Sequence, residues 1–420
     1  MAIADIYQKA TLVQIPSGYK AADAELYSVV PNDADGDFDF TRASSGTRVN
    51  KDGLIESTVA NQARLNYDPS NPQDPHLLLE PTRTNLITQS TELTSGDLAK
   101  VNLTVADNTS IVDPQGGTDA KTLTASSTSQ PRLEWRGTSV PASNTDYAMS
   151  FWVRYNTARY VAIAHFSQTG EYAIFDLVDG AVESDTGTQT AKIEAYPNGW
   201  YRISKSFEVP SSASLNYWKF TLCTQTNAFV GVNGEKADVF GLQFEIGNYP
   251  TSLIPTSGSA VTRIVDYASG AGNSDTFNDN EGTLFIDAAA LGNDGTYRVI
   301  NISDGTSSNR VLIQFSNNNN QIRADLISGG VPQTSFSTTS YTFTDFNKIA
   351  LKYKGDDTAL FVNGTQVGST QTGKTMPTGL DRIDFQNGNL GSAFYFRGKL
   401  KQLMYFDTAL SDAELITLTG

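Results

Sequence analysis

Aromatic side chains that alternate with polar ones on short strand-like segments are the first residues here that could do chemistry. In the segment Tyr147–Arg154, alternation places Trp152 on the same face as Ser150 and Arg154. The opposite face is more apolar and is expected to enter a core, which would leave Trp152 on the wetter face. An aromatic ring flanked by hydroxyl and guanidinium donors can stack on a sugar ring and hydrogen-bond its hydroxyls.

Three tyrosines extend this prediction. The segment Leu215–Cys223 places Tyr217 beside Lys219 and Thr221, while its apolar side chains point inward. The predicted carbohydrate-binding platform consists of Trp152, Tyr155, Tyr160 and Tyr217. The alternative for each ring is that it packs under a loop, against another domain or against a neighbouring chain.

An acidic turn at 32–37 could bind a hard cation. Asp33, Asp35 and Asp37 place carboxylate oxygens at alternate positions, which is typical of calcium loops. An EF-hand is excluded, because position twelve counted from Asp33 is Ser44 instead of a bidentate Glu. The alternative is an acidic turn without metal.

Catalytic signatures are absent from the sequence. Glycosidases need two carboxylates flanking the bond, about 5–9.5 Å apart. Glu171 and Asp176 lie five positions apart, so a strand places them on opposite faces. No nucleophile elbow, phosphate-binding loop or zinc-protease motif occurs. We expect no catalytic residue, a buried structural thiol at Cys223 and a core or interface histidine at His165.

Charge and composition exclude several classes of partner. The 420 residues carry 30 Lys and Arg against 45 Asp and Glu, a formal charge of −15. Such a chain repels phosphate backbones, so nucleic-acid binding is not expected. No run of about 18 apolar residues occurs, so membrane insertion is not expected. No secretory signal is visible, so synthesis in the cytoplasm is expected.

Strand patterns dominate the chain. Short alternating runs are bounded by Gly, Asn, Asp, Ser and Thr, which is typical of an all-β protein. The best helix candidate is Asp412–Thr417, where Ser411 could be the N-cap and Glu414 could complete a capping box.

Four regions are predicted from composition and pattern. Residues 1–84 are irregular and Pro-rich and are expected to anchor the chain and drive oligomerisation. Residues 85–265 and 281–420 are each about the size of one β-sandwich. Residues 266–280 are expected to be a linker. Removing residues 1–84 should then leave soluble monomeric sandwiches.

The carboxy-terminal block resembles a known family. It contains ALFVNGTQVG at 359–368, in which Asn363-Gly364 favours a type I′ hairpin turn, and ends with FRGKLKQLMYFDTALSDAELITLTG at 396–420. These elements resemble the laminin-G-like, or concanavalin-A-like, jelly roll of bacterial and phage surface proteins. The middle block, through YAMSFWVR at 147–154, NGWYRISKSF at 198–207 and the segment 238–266, resembles the carbohydrate-binding-module form of that superfamily.

The amino-terminal region resembles segments that precede such modules in phage virion proteins. The segments are DGDFDFTRASSGTRVNKDGLIE at 35–56 and LLLEPTRTNLITQS at 77–90. The resemblance implies a virion surface protein of the tail-fibre, head-fibre or decoration type. It also implies a structural calcium, to which Glu245 or Asp287 could contribute.

Three hypotheses for function follow. The first is a fibre-type virion protein that binds host-surface polysaccharide without catalysis, as a homotrimer whose many copies supply avidity. The second is a decoration protein whose sandwiches contact other virion proteins. The third is a glycan-degrading enzyme, although the E-x-D-x-x-E and E-x-D-x-E spacings of the resembled jelly-roll glucanases are missing.

Overall fold

The computed structural model describes residues 2–15, 25–93, 98–135, 145–165, 171–209, 217–386 and 394–420, and it confirms the all-β fold class. The described residues include two α-helices, α1 (Ile3–Tyr7) and α2 (Asp412–Thr419). The predicted capping box of α2 is present, because the Ser411 hydroxyl accepts from the Glu414 backbone and the Glu414 carboxylate accepts from the Ser411 backbone.

Apart from short 3₁₀ turns such as Ala34–Gly36 and Pro197–Gly199, strands make up the rest of the regular structure in the described residues. In chain order they are β1 (Leu12–Gln14), β2 (Glu25–Leu26), β3 (Phe38–Thr41), β4 (Gly46–Val49), β5 (Ile55–Thr58), β6 (Leu65–Asp68), β7 (Asn71–Leu79), β8 (Arg83–Asn85), β9 (Leu98–Val101), β10 (Leu103–Asp107), β11 (Lys121–Ala125), β12 (Arg132–Trp135), β13 (Thr145–Tyr155), β14 (Tyr160–His165), β15 (Tyr172–Asp176), β16 (Ala181–Asp185), β17 (Lys192–Ala195), β18 (Trp200–Val209), β19 (Trp218–Cys223), β20 (Lys236–Ile246), β21 (Val261–Arg263), β22 (Tyr267–Ser269), β23 (Glu281–Ala290), β24 (Arg298–Ser303), β25 (Arg310–Phe315), β26 (Ile322–Ser328), β27 (Val331–Thr338), β28 (Asn347–Lys354), β29 (Thr358–Val362), β30 (Thr365–Gln371), β31 (Arg382–Asp384) and β32 (Gly398–Phe406).

The middle sandwich consists of two antiparallel six-stranded sheets. Their strand orders are β10-β11-β20-β13-β18-β17 and β16-β15-β14-β19-β12-β9. Tyr147, Met149 and Phe151 of β13 enter the core between the sheets, where they meet Trp218 and Phe220 of β19. The alternation predicted for Tyr147–Arg154 is therefore confirmed on its core side.

The carboxy-terminal sandwich pairs an eight-stranded sheet with a five-stranded one. The larger sheet has the order β30-β29-β28-β23-β32-β7-β6, with β1 also paired to β32, and the smaller has the order β27-β26-β25-β24-β31. The predicted hairpin turn is present between β29 and β30, where Asn363 and Gly364 both have positive φ (48° and 78°). Three small sheets, β2-β3-β22, β21-β8 and β4-β5, lie outside the two sandwiches.

Strands from the amino-terminal region complete the carboxy-terminal sandwich. β32 pairs with β1 along one half of its edge (Leu12 opposite Tyr405) and with β7 along the other (Leu79 opposite Gly398). The region also supplies core side chains that are at most 1% exposed, namely Leu12, Leu26, Phe38, Phe40, Leu77 and Leu79. This differs from the expected separate region at 1–84, because much of it buries apolar surface against its own chain.

The segment 266–280, predicted to be a linker, is packed into the protein. Tyr267–Ser269 forms β22, and Phe277 is 6% exposed with its ring 4.9 Å from that of Tyr405. The Asp266 side chain is fully buried in an ion-pair network. The linker prediction is wrong. Gly, Ser, Asp and Asn form turns in buried segments as well as in flexible linkers, so this composition did not distinguish the two.

The role of the amino-terminal strands gives a first prediction. A chain lacking residues 1–84 is expected to lose cooperative folding instead of yielding free sandwiches. Burial of one large apolar side chain stabilises by about 1.5–3 kcal/mol, so losing six of them removes about as much as the whole stability of a typical domain. Circular dichroism and thermal unfolding of the truncated and full chains measure this.

Point variants in one strand provide the control. Phe40→Ala should cost about 3–5 kcal/mol, whereas Asp39→Ala, at an exposed neighbouring position, should stay within about 0.5 kcal/mol. A truncated chain that is monodisperse and unfolds cooperatively near the full-length midpoint would contradict the integration of this region.

A candidate binding cleft at the junction of the sandwiches

A buried ion-pair network joins the amino-terminal region to the segment that follows the middle sandwich. The Arg64 guanidinium lies between two carboxylates, donating to Glu80 Oε2 at 2.5 Å and to Asp266 Oδ2. All three side chains are at most 3% exposed. Because burying charge is costly, such groups are stable only when they are paired and hydrogen-bonded.

Two further arginines saturate the same carboxylates. Arg263 donates to Glu80 Oε2 at 2.7 Å, and Ser252 donates its backbone N–H to Glu80 Oε1 at 2.7 Å. Arg42 donates to Asp266 Oδ1 at 3.0 Å. The backbone N–H of Glu80 also donates to Asp266, at 2.8 Å. Each carboxylate oxygen therefore has at least one donor.

The segments that carry the resemblance in the sequence meet in this network. Residues 35–56, 77–90 and 238–266 supply Arg42, Glu80 and Arg263. The Thr47 hydroxyl also donates to the Leu253 carbonyl at 2.6 Å. These motifs therefore form a packed junction, and their charged residues stabilise the fold by pairing with one another.

The network governs the protonation of Glu80. Burial alone would raise the pKa of this carboxyl, but the Arg263 and Arg64 guanidiniums and the Ser252 donors outweigh it and hold the pKa far below its usual range. Glu80 is therefore ionised at neutral pH and unsuited to act as a general acid.

A cleft of about 490 Å³ opens beside this junction. One wall comes from β4, β6 and β7, and the opposite wall comes from β17, β18 and residues 249–253. Leu291, Phe346 and Lys399 of the carboxy-terminal sandwich close one end. The cleft thus depends on all three parts of the chain.

Trp152 and Arg202 form the floor of the cleft on the middle sandwich. They are opposite each other on β13 and β18, and the Arg202 guanidinium lies 4.7 Å from the Trp152 ring centroid. A bulge in β20 makes room for the indole, since a Cβ at Gly241 (φ +67°) would lie 3.0 Å from the ring. A cation over an aromatic face is an attractive arrangement that strengthens when it is desolvated.

Half-buried tyrosines line the walls above this floor. Tyr67 of β6 lies on one wall, and Tyr196 and Tyr201 lie on the other. Tyr196 also packs edge-on against Trp152, with ring centroids 5.6 Å apart. Tyr67 and Tyr196 are half-buried residues of this lining, whereas Tyr201, on the opposite face of β18 from Arg202, packs against the core of the middle sandwich. Partly exposed tyrosines suit a ligand with both apolar and hydroxylated surfaces.

His76 of β7 is the histidine of the cleft. It is 2% exposed, lies 3.2 Å from the Asn66 amide nitrogen through Nε2 and packs against the Phe346 ring. Burial, together with the positive charges of Lys399 and Lys401, lowers the pKa of His76 to about 3. The imidazole is therefore neutral at physiological pH and can only hydrogen-bond there.

The structure does not bring the predicted aromatic platform together. Trp152 is 1% exposed because Ile55 and Leu253 cover the face that was expected to be wet, so the predicted exposure of this ring is wrong. Tyr160 lies on the outer face of the other sheet, with the Arg159 guanidinium 5.3 Å from its ring centroid.

The other two predicted rings lie outside the cleft. Tyr155 ends β13 and is 43% exposed, and the half-buried Tyr217 immediately precedes β19. Only Trp152 of the four predicted rings lines the cleft. A binding role for Tyr155, Tyr160 or Tyr217 stays a prediction.

The predicted calcium ligands do not form a cluster. Asp33 caps a short 3₁₀ turn by accepting from the Asp35 N–H at 3.2 Å, and Asp37 accepts from the Ser28 N–H at 2.6 Å. Within the described ranges, no group of three or more His, Cys, Asp or Glu side chains is placed to hold a metal ion. Neither these aspartates nor Glu245 and Asp287 therefore provide a fitting donor set.

The residues considered for catalysis have structural partners. His165 is buried 4.9 Å from the Trp218 ring, and Cys223 is 2% exposed with burial raising the pKa of its thiol, as predicted for structural residues. Asp176 accepts hydrogen bonds from Arg159 at 2.7–3.1 Å.

Among the described helices, none is long and apolar enough to cross a membrane.

Sequence reasoning missed Arg202 and the tyrosines of the cleft walls. Alternation within NGWYRISKSF places Trp200 and Arg202 on one face, and antiparallel pairing sets Arg202 opposite Trp152. That pairing was the available signal. No local pattern indicated Tyr67, because it lies in a segment more than 100 residues before Tyr196 and Arg202.

Removing one charge from the ion-pair network gives a second prediction. Arg64→Leu should lower the free energy of unfolding by about 3–5 kcal/mol, because Glu80 and Asp266 lose their shared cation. Arg323→Gln, which breaks a partly exposed pair with Asp325, should cost at most about 1 kcal/mol. Urea unfolding measures both, and equal losses would contradict a structural role for the network.

The depressed pKa of His76 gives a third prediction. The unfolded chain binds a proton at this residue below about pH 6.5, whereas the folded chain resists it until about pH 3. The free energy of unfolding should therefore fall by about 3 kcal/mol when the pH is lowered from 6.5 to 4. His76→Gln should lack this component, so parallel stability curves for the two proteins would contradict the burial of a neutral imidazole.

The family comparison concerns the carboxy-terminal part of the chain. Residues 273–416 match the family model Laminin_G_3, described as the concanavalin A-like lectin/glucanases superfamily. This match covers less than half of the chain. No curated protein matches the sequence.

Several solved structures are similar to parts of the chain. They include the Ruminococcus gnavus IT-sialidase CBM40 bound to α2,3-sialyllactose (19% identity, 34% of this chain and 84% of that chain, TM-score 0.30), the leech intramolecular trans-sialidase (21% identity, 34% and 24%, TM-score 0.30) and domains LG4-5 of the mouse laminin α1 chain (11% identity, 70% and 93%, TM-score 0.24). With the sandwich topology, the family match identifies residues 273–416 as a laminin-G-like, concanavalin A-like domain within an all-β chain.

Proposed function

We propose that this chain is a non-enzymatic glycan-binding protein and that the junction cleft is its binding site. The observation that carries the proposal is a cleft lined by half-buried tyrosines from two parts of the chain, Tyr67 of β6 and Tyr196 between β17 and β18. Sugars present apolar ring faces and a periphery of hydroxyls, and tyrosines offer both a ring face and a hydroxyl.

The size and position of the cleft support this proposal. Its volume of about 490 Å³ lies within the roughly 300–1,000 Å³ typical of small-molecule sites. Such sites occur preferentially at domain interfaces, where two walls can converge on a ligand. The accessible polar lining, which includes the exposed Ser70 and the half-buried Asn66, can hydrogen-bond sugar hydroxyls.

The state of two cleft carboxylates, Glu80 and Asp74, supports binding without hydrolysis. A glycosidase needs a carboxyl whose raised pKa keeps it protonated, facing a second carboxylate. Glu80 has the opposite shift because it is held by arginines, and Asp74 is paired with Lys401 at 2.6 Å. Neither arrangement suits an acid–base pair.

We extend the proposal to a fibre-type protein on a phage virion, presenting the cleft to host-surface polysaccharide. This placement rests on the resemblance of residues 35–56 and 77–90 to virion segments. Self-association as a trimer would supply avidity to a weak single site. Anchoring to other virion proteins would then use surfaces left free by the amino-terminal strands.

Glycan binding gives a fourth prediction. Tyr67→Ala and Tyr196→Ala should each weaken binding about tenfold, since loss of an aromatic contact worth about 1.4 kcal/mol changes the dissociation constant by that factor. A glycan array would identify ligands, and calorimetry would then compare the variants.

Tyr155→Ala serves as the matched control, because Tyr155 is a 43% exposed tyrosine outside the cleft. Its affinity should equal that of the unmodified protein. Binding that survives both cleft variants but is lost in Tyr155→Ala would move the site to the end of β13. No binding to any glycan on the array would argue for a purely structural protein.

A further inference from the structure

Arg202 is a buried cation held by neutral groups. It is 8% exposed, and its Nη2 donates to the Ser150 hydroxyl at 3.0 Å and to the Thr251 carbonyl at 2.5 Å. Its Nε is buried and has no hydrogen-bond partner among the described residues. Arginine is always charged in proteins, so this site cannot neutralise itself by losing a proton.

The other fully buried arginines are paired differently. Each of them forms an ion pair with a carboxylate, as shown by Arg42–Asp266, Arg64–Glu80, Arg263–Glu80 and Arg298–Asp294. For Arg202, the described part of the chain offers no carboxylate within salt-bridge distance. The Trp152 ring, 4.7 Å away, attracts the guanidinium but brings no counter-charge.

The surroundings of Arg202 add positive charge to the cleft. Lys192 and Lys399 line it from the middle and carboxy-terminal sandwiches. Two of its carboxylates are already neutralised, Glu80 by Arg64 and Arg263 and Asp74 by Lys401.

The remaining cleft carboxylates, Asp68 and Glu194, are exposed to solvent. Solvent screens exposed charges far more strongly than buried ones. Lys192 is exposed as well, so the lining charges that solvent screens least are Arg202, which has no ion-pair partner among the described residues, and Glu80, which is paired with Arg64 and Arg263.

We propose that Arg202 recognises a carboxylate of the ligand, so that the ligand class is an acidic glycan containing uronic or another carboxylated sugar. Nη2 of Arg202 already donates to two described residues, whereas Nη1 donates to none of them and can donate to a carboxylate oxygen of the ligand. An anion entering the cleft would complete the ion pair that the described residues leave unmade. The inference rests on the proposed glycan-binding function and narrows it to anionic ligands.

Chemical reduction of the ligand tests this inference directly. The probes are bacterial surface polysaccharides that contain uronic acids, each compared with the same polymer after its carboxylates have been reduced to alcohols. The protein should bind the native acidic polymers and lose at least tenfold in affinity for the reduced ones. Sulfated polysaccharides without carboxylates are included, and a preference for them would overturn the assignment of a carboxylate.

Variants test whether the preference for acidic polymer arises at the cleft. Arg202→Gln should reduce affinity for the acidic polymer at least tenfold and make binding to native and reduced polymers equal. Lys399→Gln, on a partly exposed side chain, should weaken acidic binding about threefold without affecting the fold. This second variant keeps the test valid if Arg202→Gln does not fold, while Arg323→Gln removes a cation outside the cleft and should change nothing.

Fluorescence of Trp152 provides a local readout. A carboxylate that pairs with Arg202 would alter the cation–π contact, so acidic polymer should change indole emission in the unmodified protein but less in Trp152→Phe. Equal binding of native and reduced polymers would overturn the role of Arg202 while leaving glycan binding standing. Failure to bind any polysaccharide, neutral or acidic, would overturn both proposals.

Discussion

The salt-bridged Arg64 side chain is the interaction on which the rest of this structure depends. Its guanidinium is buried between Glu80 and Asp266, two carboxylates that are 186 positions apart in the chain. Neither carboxylate can be buried there without a cation, and the cation cannot be buried without them. The network therefore fixes the amino-terminal strands against residues 251–266 in one arrangement.

The arrangement of the cleft follows from that constraint. β7 pairs with β32 of the carboxy-terminal sandwich at one end, while Glu80, just after it, accepts a hydrogen bond from Ser252 in the segment that follows the middle sandwich. The two sandwiches are thus held by a strand that belongs to neither in sequence. Because the cleft walls come from all three parts, its shape is set by buried ion pairs and sheet hydrogen bonds instead of by loops.

The sequence predicted the features that neighbouring residues determine, namely strand faces, turns and helix caps. Alternation assigned the core face of Tyr147–Arg154, and Asn363-Gly364 and Ser411 predicted a hairpin turn and a helix cap that are both present. Alternation states which residues share a face, but not what covers that face. Trp152 was therefore predicted to be exposed, although Ile55, almost 100 positions earlier, packs over it.

The same limit explains the cleft. The contrast among the arginines appears only in three dimensions, where four with fully buried side chains have carboxylates and Arg202 has a ring, a hydroxyl and a carbonyl. The proposed anionic ligand would supply the counter-charge that no described residue provides at Arg202, where burying an unpaired charge is otherwise costly.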